Sequence, residues 1–264
     1  MRLLTCIAVS AIALHAWADS AFQTEGRVCP IRILDILPYT DGIITKINFA
    51  DGAYVSKGDV LFELDDRQQL AQVESFKAEL RSAQVEVDRT GLLYKRMSNS
   101  DIRGITGLEL DEAKSAYMAS KYNLNRITAL LEMAEDELSK RRIVAPFSGK
   151  LGVCVVSVGS FVATYREPLA RLLHMDPIRI IFDFPVEKRR QAHMAKAQLQ
   201  FADMTRYDHD GVVDFENNET DESGDSIIVG ATFPNPDRKL FPGMKVILRI
   251  DSLLDPPCAG GGGL

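Results

Sequence analysis

The sequence is poor in the residues from which catalytic, metal-binding and disulfide-stabilised sites are built. Its 264 residues include only 4 cysteines and 4 histidines, far apart in the chain, which argues against a disulfide scaffold or a clustered metal site. The net charge is -6 and no long run of Lys and Arg occurs, so no nucleic-acid partner is predicted. Nucleophile elbows, phosphate-binding loops and nucleophile–base arrangements are also missing. We therefore predict a protein that is not an enzyme and that has no catalytic residue, cofactor or metal.

Long apolar runs are scarce as well. The first eighteen residues contain one, the stretch Leu3–Leu14, preceded by Arg2 and followed by the small-residue pattern Ala16-Trp17-Ala18. This order is typical of a secretory signal peptide. No later run approaches the ~20 apolar residues that a membrane-spanning helix needs. We expect residues 1–18 to be removed and the mature chain to be soluble outside the cytoplasm, with three packing residues or incidental thiols: Cys29, Cys154 and Cys258.

Short strands are predicted on both sides of a long central segment. In residues 28–65, brief apolar runs are separated by the turn sequences Asp41-Gly42, Asp51-Gly52 and Lys57-Gly58-Asp59, which is typical of stacked β-hairpins. The same pattern resumes over residues 143–163. Between residues 177 and 250 the pattern predicts five further strands and a short helix near 187–196, which together indicate a small closed barrel.

The central segment, residues 66–141, predicts an antiparallel hairpin of two long helices. In its second half, apolar and small residues recur in alternating steps of three and four, the spacing of a heptad seam. These residues are Leu110, Ala113, Tyr117, Ser120, Leu124, Ile127, Leu131, Ala134 and Leu138. The apolar positions of the first helix include Leu70, Val73, Leu80, Ala83 and Val87.

The segment between the two predicted helices is the candidate partner-contact region. Thr106, followed by Glu109 three residues later, predicts a capping box at the start of the second helix. The seam mainly holds the two helices together, so it leaves the outer faces and the tip for partners. We predict that residues 99–108 make the partner contacts, because loops displayed by rigid scaffolds commonly carry recognition.

Two polar clusters in the predicted barrel offer alternative site chemistry. Asp208-His209-Asp210 could hold a weakly bound metal ion. An acidic stretch could suggest a hydrolase or a calcium site; it comprises Glu219, Asp221, Glu222 and Asp225. The first cluster directly precedes the strand predicted from Gly211, so a solvated turn is its simpler interpretation.

Three groups of residues, in a fixed order along the chain, resemble one protein family. The first is Gly42–Asp65 with its glycine turns, and the second is Ile143-Val144-Ala145-Pro146-Phe147-Ser148-Gly149. The third comprises Asp176–Glu187, Gly211–Phe215, and Phe233-Pro234-Asn235-Pro236 with Leu240-Phe241-Pro242-Gly243-Met244. With the hairpin between the first two groups, they resemble the periplasmic adaptors, or membrane fusion proteins, in the branch that serves resistance-nodulation-division (RND) multidrug efflux pumps.

This resemblance implies a fold that is mainly β, with a long α-helical hairpin inserted into a split lipoyl-like β-sandwich and a small β-barrel after it. The implied domains are a signal peptide (1–18), the two lipoyl-like halves (28–65 and 143–163), a coiled-coil hairpin (66–141), a β-barrel (164–250) and a disordered or truncated tail (251–264). Structural turns are implied at Gly42, Gly52, Gly58, Pro146, Gly149 and Gly243. The acidic stretch from Glu219 to Asp225 lies where the family has a hairpin turn of the barrel, which favours a solvated loop there.

The resemblance also implies a function without chemistry of its own. The chain would lie in the periplasm, peripheral to the inner membrane, and would link an inner-membrane RND transporter to an outer-membrane channel protein for the export of drugs and xenobiotics. It would associate with itself into a ring, a hexamer in this family. The residues implied to dock the channel at the hairpin tip are Met97, Asn99, Arg103, Gly104, Ile105 and Thr106.

Two departures from the family pattern put the partners in question. At the tip, Leu93, Met97 and Thr106 stand where the family usually has Arg, Leu and Ser, with two extra residues around Arg103-Gly104. After the barrel, family members continue into a membrane-proximal domain, whereas this chain ends in a proline–glycine tail. A natural short form, a truncation and a frameshift would each explain that end.

Three alternative functions remain beside the RND adaptor. One is an adaptor for an ABC-type exporter, and another is a truncated scaffold with no role in transport. The third is a lipoyl or biotin carrier. It is disfavoured because Asp65-Asp66-Arg67 and the whole hairpin occupy the join between the two halves, where such carriers present a modified Lys.

Overall fold

The structure, a computed structural model, describes residues 22–99, 106–188, 194–220 and 224–251. It is mainly β with a long helical hairpin, which confirms the predicted fold class. The chain divides into two compact units. Residues 34–172 contain the hairpin and two four-stranded sheets, and the described residues up to 33 and from 173 onward contain a closed barrel. None of the helices in these described ranges is long and apolar enough to cross a membrane.

The elements follow one another in a simple order along the chain. Five strands precede the hairpin: β1 (Phe22–Pro30), β2 (Ile33–Ile36), β3 (Gly42–Ile47), β4 (Tyr54–Val55) and β5 (Val60–Leu64). The hairpin is α1 (Arg67–Ser98) and α2 (Gly107–Ser139). After it come β6 (Arg142–Val144), β7 (Gly149–Leu151), β8 (Phe161–Val162), β9 (Ala170–Leu173), β10 (Ile178–Pro185), β11 (Lys196–Gln200), β12 (Gly211–Thr220), β13 (Ser226–Phe233) and β14 (Lys245–Asp251).

Six strands close the barrel in the order β1-β10-β13-β12-β11-β14. In β10, every second residue from Ile178 to Phe184 is buried, because successive side chains of a strand point to opposite faces. β1 completes the barrel by pairing with β10 on one side and with β14 on the other, where Gly26 lies opposite Phe182 and Val246. The alternating residues of all six strands therefore enclose one apolar core.

The residues that form the barrel differ from the sequence prediction in two boundaries along the chain and in the predicted short helix. Residues 28–30, predicted to begin the lipoyl-like domain, belong to β1 and hence to the barrel. Residues 164–172, predicted as barrel, lie in the other unit, where β9 joins a four-stranded sheet. The described part of the predicted helix near 187–196 is a single 3-10 turn, Val186–Lys188, and Lys196 already begins β11. The partners of β1 lie far later in the chain, so local patterns could not reveal its pairing.

A buried asparagine connects the loop after β13 to the rest of the barrel. Asn235 is fully buried, and its side-chain amide donates to the carbonyl oxygens of Met175 and Leu240, both at 3.0 Å. Its Oδ1 accepts a hydrogen bond from the N–H of Leu240 at 3.1 Å. The backbone N–H of Asn235 donates to Oδ1 of Asp176 at 2.8 Å. The side chain therefore has a partner for each polar atom, as a buried amide requires.

The second core lies between two four-stranded sheets, β2-β9-β7-β4 and β6-β5-β3-β8. Phe62 of β5 belongs to this core and is 0% exposed; its ring meets Phe49 edge-on, with 5.2 Å between centroids. β5 precedes the hairpin and β6 follows it, and the two strands pair antiparallel with Phe62 opposite Ile143. The hairpin is therefore an insertion whose two ends are held side by side in one sheet.

The residues predicted to form structural turns do so at only some positions. Gly52 has a φ of 73°, a left-handed conformation that glycine adopts without strain, and Gly58 and Gly243 also have positive φ. Gly42 and Gly149, predicted in turns, are instead the first residues of β3 and β7. The chain bends at Pro146, three residues before Gly149, so Gly149 itself pairs with β4.

The seam predicted for α2 is confirmed. All of its predicted residues are buried or half-buried. The deepest are four small or branched residues that recur every seven positions: Ala113, Ser120, Ile127 and Ala134. This spacing is the one at which a helix keeps the same face toward an antiparallel neighbour.

The seam of α1 differs in part from the prediction. Val73, Ala83 and Val87 are buried as predicted, but Leu70 is 43% exposed. The half-buried residue at this level is Gln69, one position earlier, because the seam follows the heptad spacing rather than apolar character. Thr90 is also buried in the seam although its side chain is polar.

Candidate functional site at the tip of the hairpin

The hairpin is held to the β-sandwich at its root. Nη1 of Arg141 donates to the carbonyl oxygen of Asp41 at 2.8 Å, and the N–H of Leu64 donates to the carbonyl oxygen of Arg141 at 2.9 Å. At the start of α1, Arg67 forms a bidentate pair with Asp65, with 2.6 Å between Nη2 and Oδ2. Hydrogen bonds from this guanidinium lower the pKa of Asp65 to about 2. Both helix ends are therefore tied to the same sheet, which sets the direction in which the tip points away from it.

Two hydroxyl groups meet inside the seam between root and tip. Oγ1 of Thr90 and Oγ of Ser120 are 2.8 Å apart and buried. One hydroxyl donates to the other, and the hydroxyl that accepts uses its own hydrogen for a backbone carbonyl oxygen of its helix: Thr90 can reach that of Glu86 at 2.7 Å, and Ser120 that of Tyr117 at 2.8 Å. A sliding of one helix against the other would bury these hydroxyls against apolar side chains. The pair therefore favours a single register of the hairpin, as a polar residue in a coiled-coil seam does.

Aromatic packing continues the seam toward the tip. Tyr94 and Tyr117 stack with their ring centroids 6.0 Å apart and their planes at 17°. Gly91 makes this possible, because a Cβ at that position would lie 3.0 Å from Cε2 of Tyr117. The ammonium of Lys121 lies 5.5 Å from the centroid of the Tyr117 ring. Contacts between the two helices thus fix the segment that leads to the tip.

The predicted docking residues fall partly within the described structure. Met97 is the last seam residue of α1 and is half-buried. Asn99 follows α1 and is exposed, with its N–H donating to the carbonyl oxygen of Lys95 at 3.2 Å. Thr106 is exposed and immediately precedes α2. The remaining predicted docking residues lie outside the described ranges: Arg103, Gly104 and Ile105.

Thr106 and Glu109 form the predicted capping box. The Thr106 hydroxyl accepts from the N–H of Glu109 at 3.4 Å, and the Glu109 carboxylate accepts from the N–H of Thr106 at 2.9 Å. That backbone hydrogen bond and a second one from the Thr106 hydroxyl lower the pKa of Glu109 below its ordinary value of 4.5. Because the folded pKa is the lower one, this contribution to stability is present above pH 4.5 and is lost as the pH falls through the folded value.

We expect Thr106→Ala to loosen the first turn of α2. The substitution removes one side of the capping box, which costs about 1 kcal/mol of local stability. Amide hydrogen exchange at residues 107–110 should accelerate by roughly five-fold, the rate change that corresponds to that free energy. The matched control is Thr128→Ala in the middle of α2, where the hydroxyl bonds the Leu124 carbonyl oxygen. Equal exchange in the two variants at residues 107–110 would contradict a capping role for Thr106.

Apolar side chains are exposed on both helices beside the tip. Leu93 is 43% exposed, Leu92 is 55% exposed and Leu108 is 70% exposed. A single exposed leucine is ordinary, but several at one end of a hairpin with a complete seam provide a surface for a protein partner. Sequence reasoning did not single out Leu92; an apolar residue outside the seam spacing was the signal that could have identified it.

The polar clusters of the barrel have ordinary partners. Asp208 accepts a hydrogen bond from Nζ of Lys239 at 3.0 Å, which lowers the pKa of Asp208. The His209 ring packs edge-on against Tyr207. No group of three or more His, Cys, Asp or Glu that could hold a metal ion occurs among the described residues. Two residues of the acidic stretch lie outside the described ranges: Asp221 and Glu222.

Two family models match this chain. Residues 32–169 match the barrel-sandwich hybrid domain of RND membrane fusion proteins, and residues 183–253 match the β-barrel domain of RND membrane fusion proteins. The first match alone covers more than half of the chain and includes the hairpin. Neither of the matched models describes a catalytic domain.

Similar proteins extend these matches. The chain is 29% identical to the multidrug efflux pump subunit AcrA of Escherichia coli (strain K12) over 249 residues, which cover 89% of this chain and 63% of AcrA. It is 27% identical to the solvent efflux pump periplasmic linker SrpA of Pseudomonas putida over 236 residues, which cover 84% of this chain and 58% of SrpA. The chain thus spans less than two thirds of the length of these relatives.

A solved structure shows the same fold. It is a crystal structure of a MacA–MexA chimera that contains the α-hairpin domain of Pseudomonas aeruginosa MexA. The TM-score is 0.65 at 22% sequence identity, and the match covers 88% of this chain and 82% of the chimera. The arrangement of sandwich strands around an inserted hairpin is therefore one that a crystal structure already contains.

Proposed function

The chain belongs to the RND membrane fusion protein family, and from this membership we propose that it is the periplasmic adaptor subunit of a tripartite efflux pump. In this role it joins an inner-membrane RND transporter to an outer-membrane channel for the export of drugs and other xenobiotics. One observation carries the proposal: a hairpin with a continuous seam is inserted between two paired strands of the sandwich, within the segment that matches the family model.

The geometry suits a mechanical role. α1 has 32 residues, which at about 1.5 Å per residue makes the hairpin roughly 50 Å long. Its root is fixed by Arg141 and its seam by the stacked rings of Tyr94 and Tyr117. Such a hairpin holds its tip at a set distance from the sandwich. The adaptor would therefore act as a spacer and a docking surface, while the transporter moves the substrate and uses the ion gradient.

The tip is the proposed docking site for the channel. The six predicted residues belong to the sequence from Met97 to Thr106, between the last turn of α1 and the start of α2, and Leu93, one turn before Met97, supplies exposed apolar surface. Burial of apolar surface is the dominant favourable contribution in most protein–protein association. Leu93 would then provide apolar contact where the family usually has an Arg.

Location in the periplasm is part of the same proposal. The signal peptide predicted for residues 1–18 and the similarity to SrpA, a periplasmic linker, support it. Self-association of several copies into a ring also belongs to the proposal, since it would let a set of hairpins surround a common conduit.

The proposal is tested by capture from the envelope of the bacterium that carries the gene. The tagged chain is crosslinked in intact cells, purified, and its partners are identified by mass spectrometry. We expect an RND transporter and an outer-membrane channel. Recovery of an ABC transporter in place of the RND transporter would establish the alternative exporter class, and recovery of neither would overturn the adaptor function.

The docking residues are tested by a substitution at the tip. In Leu93→Glu we expect recovery of the channel to fall by about ten-fold, because burying an unpaired charge in the contact costs more than 1.4 kcal/mol. Recovery of the transporter should not change. The matched control is Met133→Glu, an equally simple charge introduction at a residue that is 66% exposed but lies near the root end of α2. Loss of the channel in both variants would contradict a specific role for the tip.

A further inference from the structure

A groove on the outer surface of the barrel is lined by four charged residues. It crosses the neighbouring strands β14, β1, β10 and β13 and has a volume of about 520 Å³, within the range of small-molecule sites. Two of the charged residues are cations, Arg27 and Lys245, and two are carboxylates, Glu25 and Asp183. All four are exposed, so a ligand in the groove can reach them from solvent.

The strand register places like charges beside each other. Arg27 lies directly opposite Lys245 where β1 pairs with β14. Glu25 and Asp183 are each one step along β1 and β10 from the last pair of directly opposed residues, which brings the two carboxylates to the same level of the groove. Like charges in neighbouring positions of a sheet are destabilising. Strand pairing by itself therefore does not favour this arrangement.

The four charges have no partners within the part of the chain that the structure describes. Their side chains form no ion pair and no hydrogen bond there. Other charges on the barrel surface do pair, as Lys239 does with Asp208 at 3.0 Å. The two cations and the two carboxylates are thus all available to a ligand.

The distance between the two like-charged pairs limits the size of that ligand. Glu25 and Arg27 are two residues apart on one face of β1, which at about 3.3 Å per residue is roughly 7 Å. Beside them the groove is lined by Ile181, which is half-buried, and by Ile228, which is 39% exposed. A ligand that satisfies both pairs has one positive and one negative group at this separation, with an apolar part between them. An ion of one sign would be attracted by one pair and repelled by the other.

We propose that this groove binds a small zwitterion, with the ammonium group between Glu25 and Asp183 and the anionic group between Arg27 and Lys245. A dipeptide with apolar side chains fits this description, because two extended residues span about 7 Å and carry the two charges at opposite ends. Charge-assisted hydrogen bonds would hold both ends. The head group of a zwitterionic phospholipid carries the same two charges and is the second source of this chemistry. The inference concerns the barrel alone and does not depend on the proposed function.

The proposal is tested by calorimetric titration of the full chain with the dipeptide leucyl-alanine. We expect saturable binding at millimolar concentration. Two modified peptides show whether both charges are used: N-acetyl-leucyl-alanine has no ammonium group, and leucyl-alanine amide has no carboxylate. Each should bind about ten-fold more weakly than leucyl-alanine, because one charged pair of the groove is left without its partner.

A substitution at the cationic end identifies the groove as the site. Lys245→Gln should weaken the binding of leucyl-alanine by about ten-fold and change that of the amide little, because the amide has no carboxylate for Lys245 to bind. The matched control is Lys196→Gln, since Lys196 is also an exposed lysine of the barrel but lies opposite Asp251, at the far end of β14. Lys245→Gln also removes a like-charge contact with Arg27, so the midpoint of thermal unfolding should not fall. A loss of binding would then not be due to unfolding.

Flotation with phosphatidylethanolamine vesicles distinguishes the two sources of the ligand. Binding to vesicles that is lost in Lys245→Gln, without binding of the dipeptide, would assign the groove to a lipid head group. Three results would overturn the proposal: no saturable binding of either probe, equal binding of the three peptides, or an equal effect of Lys245→Gln and Lys196→Gln. Each can be obtained whether or not the chain recovers a transporter and a channel, so failure here is distinct from failure of the adaptor function.

Discussion

Replacing Asn235 with Ala should lower the free energy of unfolding of the barrel by about 3–5 kcal/mol. The carbonyl oxygen of Met175 and both backbone polar groups of Leu240 would lose their buried partners, and each such loss costs roughly 1–3 kcal/mol. These three groups bond the Asn235 amide at 3.0 or 3.1 Å. Asn235→Asp should be at least as costly, because an aspartate in this fully buried position has no donor for the two carbonyl oxygens and introduces a charge.

Urea denaturation, monitored by a probe in the barrel, measures this effect. The midpoint should fall while the dependence of the free energy on urea concentration stays the same, which is the pattern of a pure stability change. Asn218→Ala is the matched control, since Asn218 lies in the barrel strand β12 and is exposed; we expect a change within about 0.5 kcal/mol there. A change of similar size in both variants would show that the buried amide network has no special role.

The second large effect is expected at Phe62. Its side chain is 0% exposed and packs in the sandwich core against Phe49, so Phe62→Ala should cost about 3–5 kcal/mol through lost burial and the cavity that remains. The loss should not stay within the sandwich. Phe62 lies opposite Ile143 in the pair of strands that hold both ends of the hairpin. We therefore expect the Phe62 variant to recover less of the proposed outer-membrane channel as well.

Phe161→Ala provides the comparison for this prediction. Phe161 belongs to the same sheet but is 68% exposed, and its removal should change the free energy of unfolding by less than about 0.5 kcal/mol. Thermal unfolding of both variants, followed by circular dichroism, distinguishes the two cases. If Phe161→Ala proves as destabilising as Phe62→Ala, burial in the sandwich core is not what determines the cost.

Sequence reasoning located the helices and most strands because their periodicities are local. The α2 seam could be predicted from Leu110 to Leu138, since every position in it is apolar, small or aromatic and falls on one heptad frame. The α1 seam could not be predicted completely, because Gln69 and Thr90 occupy seam positions that a search for apolar residues passes over. Burial in a coiled coil follows geometric position, and a polar side chain with a partner in the facing helix satisfies that geometry.

The parts that sequence reasoning missed depend on distant pairing. β1 joins the barrel through β10 and β14, and the Asn235 network links three separate segments. Neither feature leaves a periodic signal near the residues concerned. At the candidate site, the capping box was predicted from Thr106 and Glu109 because it is a contact between residues three positions apart. The stack of Tyr94 on Tyr117 crosses between helices and could be recognised only from their register.

The pairing of β5 with β6 makes the length of the hairpin independent of the sandwich. Because the chain leaves and re-enters the sandwich through neighbouring strands, the packing of the sandwich does not depend on how far the helices extend. Removing or adding seven residues in each helix at the same level would preserve the phase of the seam and change the reach of the tip by about 10 Å. An unequal change would instead place Thr90 and Ser120 out of register. The length of the hairpin can thus change in whole heptads without any redesign of the domain that carries it.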